Sequence, residues 1–312
     1  MRILVVGAGG IGGYYGGRLA AAGVDVSFLV RPRRAEQLRR GGLVIKSPLG
    51  DATVAVKWLL REQAAPGWGA IILACRAWDL DDAIASIRPA APGALIVPQL
   101  NGIRHLDVLD AAFGADDVAG GMTLVALTME PDGTIRHLAK VQGFAHGPRT
   151  APQRERAERL QAELVKGGFL PVLSDNIMRD MWEKYAFICT LAGTNSLLRA
   201  NVGEICRTQD GAALTLEMLD DCVAVAVAAG YPPRESFLEA TRKRLLDPDS
   251  DFAASMLRDI QSGGAVEADH IVGDMAARAR AIGRPATLLR AAYAQLQAYA
   301  MQREQVASRA QS

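Results

Sequence analysis

The chain has 312 residues, of which 50% are hydrophobic and 22% are charged, and its formal net charge at pH 7 is +1. This length exceeds one ordinary α/β domain and predicts two domains with sizeable cores. Basic residues are mixed with acids, which argues against a nucleic-acid partner, and the four cysteines and four histidines lack the spacing of a disulfide framework or a metal site.

The first element is a strand, because residues 3–6 are four consecutive apolar residues of the kind found in buried parallel strands. It leads directly into the pattern G-x-G-x-x-G, formed by Gly7, Gly9 and Gly12. Gly7 permits the tight turn, Gly9 lets the backbone approach a pyrophosphate, and Gly12 lets the following helix lie against the strand. We therefore expect a dinucleotide at the N-terminus of that helix. The residues predicted to bind it here are Gly7, Gly9, Gly10, Ile11 and Gly12.

A helix over 14–22 and a strand over 24–30 complete a βαβ unit, which favours a dinucleotide site over a glycine-rich turn with only a structural role. An NAD site usually places Asp or Glu at the end of this second strand, whereas this chain has Arg31. A guanidinium group binds a ribose 2′-phosphate through charge-assisted hydrogen bonds, so the sequence predicts NADP(H). The alternative interpretation of Arg33 and Arg34 is that they are solvated residues at a helix start.

Strands and helices alternate up to about residue 173, which predicts a mostly parallel, doubly wound sheet of the Rossmann type. The expected strands cover 43–46, 70–75, 94–98 and 169–173, and the expected helices cover 33–40, 79–87 and 153–166. Residues 118–147 are β-rich around the turn Pro131-Asp132-Gly133, which predicts a hairpin that closes the sheet.

No strand pattern remains beyond residue 174, where helices are separated by breakers such as Gly283-Arg-Pro285. The fold class is therefore α/β, with an NADP-binding Rossmann-type domain over 1–173 and an all-helical substrate and catalytic domain over 174–312. The alanine-rich helices around 214–229 and 286–300 are compatible with a core or with a homodimer surface.

Neither a signal peptide nor a membrane span is expected. The first strand begins almost at Met1, which leaves no room for a charged and apolar leader. The most apolar later stretch, residues 222–229, is too short to cross a bilayer. These features predict a cytoplasmic protein.

A reaction that transfers hydride to a carbonyl group also needs a proton donor, and Lys184 is the candidate in the second domain. It lies in a predicted helix among the apolar residues Phe187, Ile188 and Leu191. Loss of hydration there would lower the pKa of Lys184 toward the range that suits a general acid. The alternative is an ordinary surface lysine.

Five motifs occur together along nearly the whole chain, from Met1 to about Tyr299. They are Gly7-Ala-Gly-Gly-Ile-Gly-Gly-Tyr-Tyr-Gly16, Leu100-Asn101-Gly102, Trp182-Glu-Lys184, Ser255-Met-Leu-Arg-Asp259 and Glu267-Ala-Asp269. Through them the sequence resembles the ketopantoate reductase (2-dehydropantoate 2-reductase) family. The resemblance implies a Rossmann domain that carries NADPH, a helical domain that closes over the substrate, and reduction of a 2-oxo acid to its 2-hydroxy acid.

By this resemblance, Lys184 corresponds to the proton donor and Glu267 to the acid that contacts the reacting oxygen or the substrate hydroxyl. Asn101 corresponds to an asparagine near the nicotinamide and the substrate, and Ser255 to the residue that binds the substrate carboxylate. Asn101 and Glu267 are accordingly also expected near the cofactor. Without the resemblance, Glu267 could also be a solvated acid at the start of a helix. Ser255 could also be a helix-cap residue or a hydroxyl in the core.

The chain departs from the family pattern at Ile188 and Ala192, four and eight residues after the lysine, where family members have asparagines that contact the substrate. The substrate is therefore expected to be more apolar than ketopantoate, unless Asn195 on the same helical face compensates in part. Arg76 replaces the lysine that is usual in the family, which retains a cation near the cofactor or the substrate.

The leading hypothesis is an NADPH-dependent reductase that acts on a small-molecule 2-oxo acid. One alternative is a reductase of the same superfamily that acts on another carbonyl or on an imine, as the residues at positions 188 and 192 allow. Another is a protein that senses NADP(H) without turnover, since a Rossmann site alone implies binding and not chemistry.

Overall fold

A computed structural model describes residues 1–309 of the chain. These residues form two compact units, Met1–Met178 and a second unit that starts at Arg179. The first unit is α/β and the second is helical, which confirms the predicted fold class. Residues 310–312, which the predicted helical domain includes, lie outside the described residues.

The first unit is built around a sheet of five strands, all of them parallel to their neighbours. Its strands are β1 (Ile3–Val6), β2 (Val26–Leu29), β5 (Lys57–Leu59), β6 (Ala70–Leu73) and β7 (Leu95–Pro98). Their order across the sheet is β5-β2-β1-β6-β7. Every residue of β1, β2, β6 and β7 is buried, as expected of a parallel sheet that is covered on both faces.

Helices connect these strands or follow them. They are α1 (Gly10–Ala21), α2 (Pro32–Gly41), α3 (Leu80–Ile87), α4 (Arg104–Phe113) and α5 (Arg154–Leu164). The helix α2 begins with Pro32 at its first position, where a missing N–H group removes no helical hydrogen bond. The sequence predicted four of these helices to within a few residues and did not predict α4.

The hairpin predicted over 118–147 exists, but it belongs to a second sheet. This sheet contains β3 (Leu43–Lys46), β4 (Ala52–Val54), β8 (Gly120–Met129), β9 (Ile135–Gly147) and β10 (Pro171–Leu173). The long strand β9 pairs with β8 on one side and with β3 and β10 on the other. The sequence predicts a hairpin that closes the parallel sheet, but among the described residues its only pairing with that sheet is an isolated bridge between Val118 and Ile96. The hairpin belongs to the second sheet because β9 is long enough to pair with three strands of that sheet.

The second unit is helical throughout its described residues, which end at residue 309. Its helices are α6 (Ile177–Leu198), which starts two residues before the unit, and α7 (Val202–Cys206), α8 (Gly211–Ala228), α9 (Glu235–Leu245), α10 (Ser255–Gln261), α11 (Asp274–Ala281) and α12 (Thr287–Arg309). The alanine-rich helices α8 and α12 pack together and bury Leu219, Cys222 and Leu296 completely, so these faces form core. None of the helices in residues 1–309 has the length and apolar composition needed to cross a bilayer.

Gly12 holds α1 against β1, and this contact leaves no room for a side chain. A Cβ atom at this position would lie 2.2 Å from the Gly7 carbonyl oxygen and 3.0 Å from Val5 Cγ1. Because the nearer atom belongs to the backbone, only a shift of α1 relieves the clash. We predict that Gly12→Ala lowers the free energy of unfolding by about 1–3 kcal/mol. Urea denaturation followed by circular dichroism measures this change.

Gly41→Ala is the matched control, because a Cβ atom at Gly41 meets no atom within 4 Å. This position ends α2, where alanine is a better helix former than glycine. We expect the control to leave the free energy of unfolding unchanged or to raise it by up to about 1 kcal/mol. Equal stabilities of the two variants would contradict the packing role of Gly12.

Candidate active site

The residues predicted to bind the cofactor in the first unit all follow strands of the parallel sheet. The glycine loop follows β1, Arg31 follows β2, Arg76 follows β6 and Asn101 follows β7. These four strands are neighbours in the order β2-β1-β6-β7 and run in the same direction, so their carboxyl ends form one edge. The chain order reverses beside β1, and open α/β sheets bind ligands outside the carboxyl ends of the strands at such a point.

The geometry of the glycine loop fits a pyrophosphate group. Gly7 has a φ of +90°, which only glycine adopts without strain, and α1 begins at Gly10 without a side-chain cap on its first N–H groups. A Cβ atom at Gly9 would meet no atom within 4 Å, so the backbone is open to close approach there. The positive end of the α1 dipole and its free N–H groups therefore face a space that suits an anion. Ile11 is half-buried behind them.

Arg31 is exposed, and it directly follows β2, at the position that the sequence predicts to select between NAD and NADP. Its Nη2 donates hydrogen bonds to Asp79 Oδ1 at 2.6 Å and to Asp82 Oδ2 at 3.1 Å, and these carboxylates raise the pKa of Arg31. Exposed ion pairs of this kind contribute only about 0–1 kcal/mol each. These two ion pairs therefore hold Arg31 only weakly.

The two arginines after Arg31 differ in their surroundings. Arg33 is exposed, in agreement with the solvated alternative. Arg34 is half-buried and its Nε donates a hydrogen bond of 2.9 Å to the Ala8 carbonyl oxygen, inside the glycine loop. Burial lowers the pKa of Arg34. Arg34 thus braces the loop from behind, so the solvated alternative applies to only one of the pair.

Arg76 and Asn101 lie on the other side of β1 from Arg31. The Arg76 side chain is exposed, and its guanidinium carbon lies 5.5 Å from the centre of the Trp78 ring. Asn101 is half-buried in the loop after β7. The backbone N–H group of Gln99 donates to the Leu73 carbonyl oxygen at 2.8 Å, which extends the β6–β7 pairing almost to Asn101 and fixes the start of the loop.

In the second unit, Lys184 and Glu267 form one electrostatic pair. Burial lowers the pKa of Lys184 from its usual 10.5 to about 8, although the negative charge of Glu267 acts to raise it. The desolvation of the ammonium group therefore outweighs the attraction of the carboxylate. Lys184 is half-buried and interacts with the charge of Glu267, so its surroundings differ from those of a fully solvated surface lysine.

The neighbour of Lys184 on α6 fixes the segment that carries Glu267. Residues Asp269–Gly273, two positions beyond Glu267, form one turn of π-helix. The buried hydroxyl of Tyr185 donates to the Ile271 carbonyl oxygen at 2.8 Å within this turn, and it also lies 3.0 Å from Asp274 Oδ2. Single π-helical turns are frequent at functional sites because they shift the residues around them. Here the Tyr185 hydroxyl joins the turn to α6 next to Lys184.

An ion pair between the buried Glu183 and the exposed Arg234 lies next to Lys184 on α6. Glu183 is 2% exposed and accepts hydrogen bonds from the backbone N–H group and from the guanidinium group of Arg234, which lies just before α9. Arg234 also bonds Asp180 at 2.6 Å, one turn earlier on α6. Removing Arg234 would leave the Glu183 carboxylate buried without its cation, which is destabilising. The pair therefore fixes the position of α6 around Lys184.

Asn195 contacts the protein backbone. It is completely buried, and its Oδ1 accepts a hydrogen bond of 2.8 Å from the Ala254 N–H group. Ala254 directly precedes α10, whose first residue is the exposed Ser255. Asn195 thus positions Ser255, and its carbonyl oxygen is already occupied. On the face of Lys184, Ala192 is buried and Ile188 is half-buried, which makes this part of α6 an apolar wall.

Sequence reasoning missed Glu183, Tyr185 and Arg234. The position of Glu183 and Tyr185 on either side of Lys184 was the available signal, because charged and hydroxyl groups in an apolar helix need partners. Nothing in the sequence pointed to Arg234 as the partner, since it lies fifty-one residues away in the chain.

Comparisons with known proteins cover both units. Residues 3–147 match the family described as Ketopantoate reductase PanE/ApbA, and residues 176–300 match its C-terminal counterpart. The uncharacterized oxidoreductase YkpB of Bacillus subtilis is 33% identical over 300 residues, which are 96% of this chain and 99% of YkpB.

Two solved structures share the fold over nearly the full length. The PanE/ApbA family ketopantoate reductase of Ralstonia eutropha aligns with a TM-score of 0.87 at 25% identity, over 97% of this chain and 100% of that one. A D-mandelate dehydrogenase, solved with NADH and anilino(oxo)acetate, also aligns with a TM-score of 0.87 over the same shares, but at 19% identity. The second likeness concerns the fold alone.

Proposed function

This chain belongs to the ketopantoate reductase family of oxidoreductases, and we propose that it reduces a 2-oxo acid to the 2-hydroxy acid with NADPH. In this proposal residues 1–173 bind the nucleotide and residues 174–312 supply the substrate site and the proton donor. The observation that supports it most directly is the desolvated Lys184 beside Glu267, with a pKa of about 8.

The reduced nicotinamide, when bound, supplies a hydride for the carbonyl carbon of the 2-oxo acid. Negative charge then develops on the carbonyl oxygen, and the Lys184 ammonium group stabilises this charge and donates its proton to the oxygen. A pKa of about 8 leaves the lysine mostly protonated at pH 7 and makes it a stronger acid than a solvated lysine. Glu267 limits this drop in pKa and holds the ammonium group in place.

Ser255 and Asn101 are proposed to orient the substrate. The Ser255 hydroxyl is exposed at the start of α10, at a position that Asn195 fixes through the Ala254 N–H group. A hydroxyl and an amide are suitable donors for a carboxylate and a carbonyl group, and fixed donors cost no reorganisation during the reaction. Asn101 at the end of β7 also serves the nicotinamide end of the cofactor in this proposal, as does Glu267.

The apolar wall of Ile188 and Ala192 favours a 2-oxo acid with fewer polar groups than ketopantoate. Each hydrogen bond that an asparagine would have supplied contributes roughly 0.5–1.5 kcal/mol, so two losses lower the affinity for a hydroxylated substrate substantially. Asn195 does not restore both contacts, because it is completely buried and its Oδ1 is bound to the Ala254 N–H group, which leaves only its Nδ2 atom without a hydrogen-bond partner within residues 1–309. The alternative is that the enzyme reduces a different carbonyl compound or an imine. Rates measured with such compounds and with 2-oxo acids distinguish the two.

NADPH is proposed as the preferred cofactor because cations occupy the position where NAD sites place a carboxylate. Arg31 provides the planar guanidinium group that binds a phosphate bidentately, and the exposed Arg33 adds a second cation beside it. Arg76, at the end of β6, adds a third cation on the same edge of the sheet. We propose that it contacts the cofactor or the substrate.

The first prediction of this proposal concerns Lys184→Ala, which removes the proton donor. We expect kcat for 2-oxo acid reduction to fall by about 10²–10⁴-fold, because this is the contribution of a positioned general acid. The NADPH dissociation constant, measured by fluorescence titration, should change little. Lys243→Ala is the control, since Lys243 is an exposed lysine on α9. Unchanged turnover of Lys184→Ala would remove the lysine from the mechanism.

The second prediction concerns the choice of nucleotide. We expect Arg31→Ala to weaken NADPH binding by about 10–100-fold and NADH binding by much less, because only NADPH carries the 2′-phosphate. Arg40→Ala serves as the control, since Arg40 is exposed at the far end of α2 and pairs with Glu36. A wild-type preference for NADH, or an equal loss for both nucleotides, would show that Arg31 does not select NADP.

A further inference from the structure

Three side chains of the second unit form a cluster that the proposed function does not yet use. The rings of Phe187 on α6 and Phe252 before α10 are stacked, with centres 6.2 Å apart and planes 11° apart. The guanidinium carbon of Arg244 on α9 lies 4.2 Å from the centre of the Phe252 ring and 5.2 Å from that of Phe187. The cluster thus consists of one cation on two parallel aromatic rings.

Arg244 is the member with free hydrogen-bonding capacity. Within residues 1–309 it makes no hydrogen bond and no ion pair, and its interactions are with the two rings. Nearby arginines of this unit are paired, for example Arg234 with Glu183 and Arg242 with Glu235. Burial by the surrounding protein lowers the pKa of Arg244, with no carboxylate to oppose it. The side chain is nevertheless exposed enough for a ligand to reach it.

The cluster adjoins the predicted catalytic residues along the chain and on the helix. Phe187 lies three residues after Lys184, so both lie on one side of α6, together with Ile188. Phe252 lies three residues before Ser255. Its backbone is fixed, because its carbonyl oxygen accepts a hydrogen bond of 3.0 Å from the Val202 N–H group. The two rings therefore belong to residues that lie within three positions of the proposed proton donor and of the serine proposed to bind the carboxylate.

We propose that Arg244 binds the substrate carboxylate and that the half-buried Phe252 ring, backed by the buried Phe187, contacts an apolar or aromatic side chain of the 2-oxo acid. A guanidinium group that stacks on a ring through its face keeps the N–H groups of its edge free for a carboxylate. Such a bidentate pair supplies the polar contact that the apolar residues at positions 188 and 192 do not. This inference rests on the proposed function and specifies its substrate class.

The test compares an acid with its ester. Phenylglyoxylate and its methyl ester share the ketone and the ring, but only the acid carries a carboxylate. For Arg244→Ala we expect KM for phenylglyoxylate to rise by about 10–100-fold, while KM for the methyl ester changes by less than about threefold. kcat for both should stay within about threefold of wild type, because the proton donor is untouched. The KM of Arg244→Lys for phenylglyoxylate should lie between those of the wild-type enzyme and Arg244→Ala.

Two controls separate binding from folding. Arg242→Ala removes a paired arginine from the same helix and should leave the ratio of acid KM to ester KM unchanged. Near-ultraviolet circular dichroism and NADPH titration show whether each variant is folded. An Arg244→Ala enzyme that raises both KM values equally, or neither, would overturn the carboxylate assignment.

The apolar part of the inference has its own measurement. Phe252→Ala should lower kcat/KM for phenylglyoxylate relative to pyruvate by about tenfold, because the ring loses its apolar contact. An unchanged ratio would contradict a substrate that contacts these rings. If the wild-type enzyme binds nucleotide but reduces no 2-oxo acid, the proposed function and this inference are both wrong. If the wild-type enzyme reduces 2-oxo acids but Arg244→Ala leaves the ratio of acid KM to ester KM unchanged, only the inference is wrong.

Discussion

The burial of one ammonium group is the constraint on which the rest of the helical unit depends. Desolvation of Lys184 lowers its pKa to about 8, and Glu267 offsets only part of this effect. Keeping a cation in such surroundings reduces stability and requires firm support. The support comes from both neighbours on α6, since Glu183 binds Arg234 and Tyr185 holds the π-helical turn beyond Glu267. Hydrogen bonds of Glu183 and Tyr185 thus support the helix on both sides of Lys184.

The first unit has a different task in the proposed function, which is to offer backbone N–H groups to the pyrophosphate of the nucleotide. A parallel sheet with the order β5-β2-β1-β6-β7 places the ends of four strands on one edge, and α1 starts there without a side-chain cap. Gly12 makes this possible because any side chain would strike the Gly7 carbonyl oxygen. Arg34 then braces the loop through the Ala8 carbonyl oxygen. In the proposed function, exposed residues such as Arg31 select the nucleotide.

Local sequence patterns predicted the fully buried strands correctly. They did not predict contacts between residues that are far apart in the chain. The buried strands β1, β6 and β7 are continuous apolar runs, so their positions followed from the sequence to within two residues. The short strands β4 and β5 carry no such pattern and were missed. Helical spacing placed Asn195 on the face of Lys184, but it did not reveal that its partner is the Ala254 N–H group. The proximity of Glu267 to Lys184 came from family resemblance, because eighty-three residues separate them.

The pH dependence of kcat/KM for reduction tests the role of Lys184 most directly. A proton donor must be protonated, so kcat/KM should be level below the pKa of about 8 and fall tenfold per pH unit above it. The reverse oxidation of the 2-hydroxy acid should rise through the same range, because it needs the neutral amine as a base. A profile for reduction that stays flat from about pH 6 to pH 10 would contradict the account, since no group with the character of Lys184 would then donate the proton.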